Sequence, residues 1–410
     1  MTTRPALRIA LLAGLALPLA LAGCGGHGQY TQEHLNGAQE KMVLLKSGTE
    51  WKMAQQQFLA GELDKAIKSV DSSISMNPGV TKAHVLRGRI LIEKGNLDQA
   101  RMSFEHAIEL DKETPEPRYY LGIIHERLSK FEEALACYEA ASTIDPNDPQ
   151  ALIASCEMLV QLDRMDEAEL RLAESRSRFE YNAAVRQSLG HIAVMRRDNE
   201  KAVQFFNEAR LLAPDDATIL EDLLRAQISS GHYAEAEFNI GRITDKPTAV
   251  RRRDLEHLRA RCLVCIDRPV EAREILIRLT SEKDGSGDVN AWIGLGNVAA
   301  LLNDMARLRT AGNRVIAIAP ERYEGYFLKA LYLHANGQTD EAVSLLQKAT
   351  RLPGASADSH ILMGLIQQDR GELDAARTSF KLAVMLDPTN IAAAQLAGVA
   401  PALATHPDGQ

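Results

Sequence analysis

Ala183–Asp216 reads AAVRQSLGHIAVMRRDNEKAVQFFNEARLLAPDD, and its spacing of small, apolar and turn residues returns about every 34 residues through most of a 410-residue chain. Numbered from its first residue, this stretch has Leu189 and Gly190 at positions 7 and 8, Ala202 at 20, Phe206 at 24, Ala209 at 27 and Pro214 at 32. The stretch 357–390 supplies Met363, Gly364, Ala376, Phe380, Ala383 and Pro388, and 115–148 supplies Leu121, Gly122, Ala134, Tyr138, Ala141 and Pro146. Position 20 keeps time best: Ala66, Ala100, Ala134, Ala168, Ala202, Ala236, Ala272, Ala342 and Ala376, with Leu308 the one exception. The steps are 34 residues except for two adjoining steps of 36, on either side of the seventh copy. A period of this length describes stacked supersecondary units and not one globular core.

The spacing has a direct physical reading. Apolar or small residues at positions 4, 7, 8 and 11 form one stripe on a first helix, and those at 20, 24 and 27 form a stripe on a second. Small residues at 8, 20 and 27 let two helix axes approach closely. Gly61, Gly95, Gly231, Gly337 and Gly371 share position 15, where a turn between antiparallel helices calls for positive φ. Pro78, Pro146, Pro214, Pro320 and Pro388 share position 32, where a residue without an N–H stops the second helix. Each hairpin has an apolar face that it cannot bury alone, so neighbours must stack.

These residues resemble the tetratricopeptide-repeat family over 47–390. The resemblance implies an all-α fold, a right-handed α-solenoid of about ten helix-turn-helix repeats. Repeats one to six would occupy 47–250, a degenerate repeat seven 253–286, and repeats eight to ten 289–390. It further implies a concave groove lined by first-helix positions 2, 5, 9, 12 and 13. In repeats one to four those positions supply Trp51, Gln55, Phe58, Lys82, Val85, Arg89, Ile92, Tyr119, Ile123, Arg127, Ile153 and Glu157 as candidate protein-binding residues. The mixture of aromatic, aliphatic and arginine side chains is the composition of binding hot spots. The lysine and asparagine set with which chaperone-binding members clamp a terminal carboxylate is not reproduced, since position 9 reads Gln55, Arg89 and Ile123.

The two ends depart from the repeat. Arg4 and Arg8 flank an apolar run, Ile9 to Ala22, too short for a stable transmembrane span, and it closes on Leu21-Ala22-Gly23-Cys24. This resembles a bacterial lipoprotein signal peptide with its lipobox. It implies removal of 1–23, lipidation of Cys24, and a chain held at a membrane and facing the periplasm. Gly25 rather than Asp follows the cysteine, which favours the outer membrane in a Gram-negative cell. Residues 25–28 read as a spacer, and 31–46 as a helix capping the array. At the far end 391–400 begins as an eleventh first helix, apolar enough to be a small cap or a contact surface, and 401–410 reads as a disordered tail.

Composition narrows the function classes. Removing 1–23 takes away two arginines and no acid, moving the formal charge from −8 to −10, and an acidic array is a poor candidate for nucleic acid. Cys137 and Cys156 fall at packing positions. Cys262 and Cys265 form a C-x-x-C within a first helix, without the second pair a zinc site needs or the His that follows in haem attachment. Gly294-Leu295-Gly296-Asn297-Val298-Ala299 matches G-x-G-x-x-A, but no strand precedes it and the repeat explains its small residues. Arg251, Arg252, Arg253, Arg259 and Arg261 read as a solvated helix start, or alternatively as an anion or acidic-partner site. No nucleophile pairs with a base, and the residues outside the array are too few for an enzyme fold. The expectation is a non-enzymatic scaffold or adaptor with no cofactor, no metal and no small-molecule substrate, holding envelope proteins or peptides in its groove. The alternative is an accessory lipoprotein of pilus assembly or of polysaccharide or surface-protein export.

Overall fold

The computed structural model describes residues 29–245, 251–282 and 285–398. Cys24, the apolar run before it and the tail 401–410 lie outside the described residues. Among the described residues there are 21 α-helices and one 3-10 turn, Gly285–Gly287, and no strand. The described residues form two compact units, divided between Glu174 and Ser175.

The first unit contains α1 (Gln29–Leu59), α2 (Leu63–Met76), α3 (Thr81–Glu93), α4 (Leu97–Leu110), α5 (Glu116–Arg127), α6 (Phe131–Ile144), α7 (Pro149–Gln161) and most of α8 (Met165–Ser175). The second continues with α9 (Ala183–Met195), α10 (Asn199–Leu212), α11 (Ala217–Ser229), α12 (Tyr233–Thr244), α13 (Arg253–Cys265) and α14 (Pro269–Ser281). It ends with α15 (Val289–Leu301), α16 (Met305–Ile318), α17 (Tyr323–Ala335), α18 (Thr339–Ala349), α19 (Ala357–Asp369), α20 (Leu373–Leu386) and α21 (Ile391–Ala397). Every second helix, from α2 to α20, begins at position 17 of its repeat. Within each unit, several first helices touch the first helix of the next repeat: α1 with α3, α3 with α5, α13 with α15, α15 with α17 and α17 with α19. They form the inner layer.

The period works through volume. All nine position-20 alanines are buried. In four of the five repeats with glycine at position 8, position 24 is aromatic: an added Cβ on Gly88, Gly122, Gly190 or Gly364 would lie 2.5 Å from a ring carbon of Phe104, Tyr138, Phe206 or Phe380. The ring of the second helix lies flat on the backbone of the first, a fit that even one methyl group would spoil. Repeat eight reverses the arrangement. Leu308 replaces the alanine, Gly312 replaces the aromatic, and Leu328 from the following repeat packs with Leu308 and Ala299.

Position 15 takes positive φ in all ten repeats: at the five glycines named above, and at Ser129, Asp163, Arg197, Asp267 and Asn303, with φ between 54° and 62°. The turn geometry is therefore imposed by the packed hairpin and not by glycine. A side chain in this region carries a cost of about 1 kcal/mol or more. Side-chain caps close several helix starts: Asp148, Asn182, Asp198, Asp216, Asp288, Asp304 and Asn390 each accept a hydrogen bond from a backbone N–H in the first turn.

The segment 31–46, read as a capping helix, is not a separate helix. Helix α1 is continuous from Gln29 into the first helix of repeat one. It is fixed to α2 at Ser47 and Ser73, two buried residues whose hydroxyls each donate to the other's carbonyl, at 3.0 and 2.8 Å. On the N-terminal side of Ser47, Met42, Val43, Leu44 and Leu45 are exposed. At the other end, α21 buries Ala393, Ala394 and Ala397 and stops at Gly398, φ 65°.

Candidate binding surfaces

The inner face of the first unit carries the residues singled out in repeats one to four. Ten of the twelve are at least partly accessible, but Val85 and Ile92, 8% and 5% exposed, belong to the core that they form with Leu121 and Ile124 of the next repeat. The next first helix packs over them, which removes both from the groove. Trp51 donates through Nε1 to the Lys82 carbonyl (3.3 Å), and Arg127 donates to the Ile92 carbonyl (3.4 Å). Arg89 lies between two rings, its Cζ 5.1 Å from the Phe58 centroid and 5.3 Å from that of Tyr120. Tyr120 in turn stacks on Phe104 at 5.4 Å. The aromatic and cationic groups of this face are largely spent on one another.

The second unit has the more open site. A cavity of about 530 Å³ lies between α13 and α15, bordered by His257, Arg261, Val264 and Cys265 on one side and by Asn290, Ile293, Gly294 and Asn297 on the other. Leu276 and Val298 contribute apolar lining. These wall residues stand at positions 5, 9, 12 and 13 of repeat seven and 2, 5, 6 and 9 of repeat eight. With one exception they are the positions that the family resemblance assigns to the groove, in repeats not singled out for it. The exception is Gly294 at position 6. It removes the side chain that would otherwise fill the space, and an added Cβ would meet Leu276 Cδ2 at 3.0 Å. The G-x-G-x-x-A segment is helical throughout, inside α15, with Gly296 packed on Leu328. It offers no phosphate loop.

The arginine cluster is mostly absorbed by the protein itself. Arg251 pairs with Glu256 (2.8 Å) and with Glu282, and Arg252 pairs with Glu221 (2.8 Å) and Asp254 (2.6 Å). Arg253 pairs with Glu282 (2.8 Å) and Asp288 (2.7 Å), and Arg259 with Glu237 (2.9 Å) and Asp245 (2.8 Å). Single exposed pairs contribute little, but here several carboxylates tie the start of α13 to the junction before α15. Arg261 has no ion pair or hydrogen bond among the described residues, and it faces the cavity.

Asp288 organises the cavity's edge. It caps α15 through the Ala291 N–H (3.0 Å) and also accepts from Arg253 (2.7 Å) and His257 Nε2 (2.9 Å). Burial pushes its carboxyl upward, but the Ala291 amide, Arg253 and His257 outweigh burial and hold it below the usual carboxylate range.

The cysteines of the C-x-x-C separate. Cys262 is buried and its thiol is pushed up to about 11 by burial, whereas Cys265 is exposed at the cavity wall. Cys156 is buried with its thiol likewise raised to about 11, and Cys137 is half-buried. Among the described residues no group of three or more His, Cys, Asp or Glu is placed to hold a metal ion, and no helix is long and apolar enough to cross a membrane.

Comparison with known proteins agrees with the hairpins. The family described as Tetratricopeptide repeat matches residues 85–149 and 327–391. Superkiller complex protein 3 of Mus musculus is 24% identical over 220 residues, which is 43% of this chain and 14% of that protein. Cellulose synthase operon protein C of Pseudomonas fluorescens is 29% identical over 122 residues, 28% of this chain and 10% of that protein. The chain thus spans only a small part of the length of these relatives. A crystal structure of a tetratricopeptide repeat protein from Parabacteroides merdae aligns with a TM-score of 0.43 at 17% identity, covering 57% of this chain and 92% of that one. Proteins of this family bind peptides or other proteins. The period, the helix pairs and the matched segments lead to one assignment: the chain carries tetratricopeptide repeats.

Proposed function

We propose that the chain is a non-enzymatic scaffold, tethered to the outer membrane through acylated Cys24, that holds an extended segment of an envelope protein on the inner face of repeats seven and eight. The observation that carries this reading is the cavity between α13 and α15, with the unpaired Arg261 on one wall and Asn290 and Asn297 on the other. The two carboxamides are two helical turns apart, about 10 Å. That spacing matches about three residues of an extended peptide, whose backbone groups they would bracket. Arg261 suits an acidic side chain or a terminal carboxylate, and Val264, Leu276 and Ile293 suit an apolar one.

A photoreactive residue placed at Asn297 should crosslink one envelope protein in intact cells. No adduct, or the same adducts from an exposed second-helix position such as Arg377, would sink the reading. The anchor has its own test. Cys24→Ala should lose the acyl label and processing before residue 24; unchanged labelling would remove the lipid from the proposal.

A second reading, an accessory role in polysaccharide export, has the match to cellulose synthase operon protein C in its favour. It predicts that loss of the chain abolishes polymer secretion while the polymerising enzymes remain active, and normal secretion would exclude it.

A further inference from the structure

The exposed stretch of α1 before Ser47 has a composition that a protein surface does not suit. Met42, Val43, Leu44 and Leu45 are 57%, 41%, 55% and 73% exposed, and the lysines on either side, Lys41 and Lys46, are exposed as well. Successive helical residues turn by about 100°, so four in a row pass around most of the helix circumference. A partner helix or groove reads one face, with anchors at i, i+3, i+4 and i+7. Val43 and Leu44 border a recess with Met76 and Asn77 at the end of α2, and the apolar surface left outward, with lysines on either side, suits the headgroup boundary of an anionic membrane.

The chain's own geometry brings such a membrane near. From Leu45 back to Gln29 the helix covers about 24 Å, and Cys24 lies five residues before Gln29, within about 18 Å of extended chain. A helix standing upright would hold this apolar stretch well clear of the headgroups. One lying along the surface would set it among them.

We propose that Met42–Leu45 forms a second membrane contact, seated at the headgroup boundary of an anionic bilayer, so that α1 lies along the surface. This rests on the anchoring proposed above, since acylation of Cys24 would keep α1 near the membrane, where a contact that is weak by itself becomes effective. A single weak contact is reversible, and a nearby second one makes attachment durable and fixes orientation.

The test places a reporter in the full chain with Leu45→Trp, a substitution at a well-exposed position. It is mixed with vesicles of phosphatidylethanolamine and phosphatidylglycerol, with and without brominated acyl chains. Emission from the introduced tryptophan, taken as the difference from the parent chain, should shift to the blue and be quenched by the brominated lipid. The double substitution Met42→Asp and Leu45→Asp should lower vesicle affinity at least about tenfold in a Cys24→Ala background. Vesicle-bound chain whose introduced tryptophan stays as open to acrylamide as in buffer would overturn the contact and leave the anchor standing. A blue shift that grows with protein concentration in the absence of lipid would also overturn it, in favour of a second copy. A failed anchor reads differently: no acyl label on Cys24, with the quenching unaffected.

Discussion

Arg89 and Arg261 occupy the same place, the ninth position of a first helix, in repeats two and seven, yet one is enclosed and the other faces open space. The guanidinium of Arg89 lies between Phe58 and Tyr120, whereas Arg261 borders the cavity between α13 and α15. Position 6 of the following repeat accounts for one side of that enclosure, Phe58 of the preceding repeat for the other. Position 6 is Tyr120 beside Arg89 and Gly294 beside Arg261. A charge on this face is left available only where the neighbouring repeats leave it uncovered, and Gly294, with no side chain, is what leaves the Arg261 side of the cavity open.

The contrast is broken most directly by Gly294→Tyr, which should rebuild over Arg261 the cover that Tyr120 gives Arg89. Calorimetry should show affinity for the segment crosslinked at Asn297 falling about 30- to 100-fold, the equivalent of losing one buried apolar side chain. Thermal stability should change little, since relief of a helix glycine, itself about 1 kcal/mol unfavourable, offsets the shift that the new Cβ asks of Leu276, 3.0 Å away. Undiminished binding would mean that the cavity is not the site.

Reversing each arginine sharpens the comparison. Arg261→Glu should weaken binding about tenfold, with a marked salt dependence, and leave stability unchanged. Arg89→Glu should leave binding intact and destabilise the chain by about 1 kcal/mol, the worth of its two ring contacts. If the Arg89 variant lost affinity instead, the site would belong to repeats one to four.

A smaller effect separates the two regions by pH. Asp288 titrates below the ordinary carboxylate value, so its contribution is complete above about pH 4 and is lost as pH falls through its depressed value. Asp288→Asn should flatten the acid limb of the melting temperature and lower stability at neutral pH. A melting curve as steep in acid as the parent's would show that Asp288 contributes nothing to that limb.

The smallest effect tests the turn that every repeat shares. Arg197→Gly should stabilise by about 1 kcal/mol, because Arg197 holds φ 62°, and Gly231→Ala should cost a similar amount at φ 78°. Denaturant midpoints moving the other way would show that the side chains at this position make compensating contacts.

Much of the fold was legible because its signals are local and repeated. The position-20 alanines, the glycines at 8 and the prolines at 32 mark helix pairs without reference to any neighbour. The turns were half legible: five glycines announced positive φ, but Ser129, Asp163, Arg197, Asp267 and Asn303 adopt it because packed helices on either side require it. The site was less legible. The groove positions followed from the family register, yet Val85 and Ile92 are core, and the open cavity lies between repeat seven, read as degenerate, and repeat eight, neither of which supplied a candidate residue. Gly294 was visible, but within a decoy motif. Its meaning depends on Arg261, 33 residues earlier, and on no residue of the motif itself.

The sequence alone determined the period, the pairing of helices and which face of each is apolar, because these depend on residues within a few turns of one another. Only the tertiary structure decided which inner-face groups are already occupied: Arg89 by rings from the repeats on either side, Arg251 to Arg253 by carboxylates up to 35 residues away, Arg261 by neither. The reason is range. A periodic pattern specifies the surface each hairpin presents, but whether a charge there is spent or free depends on side chains brought to within about 3 to 6 Å by stacking.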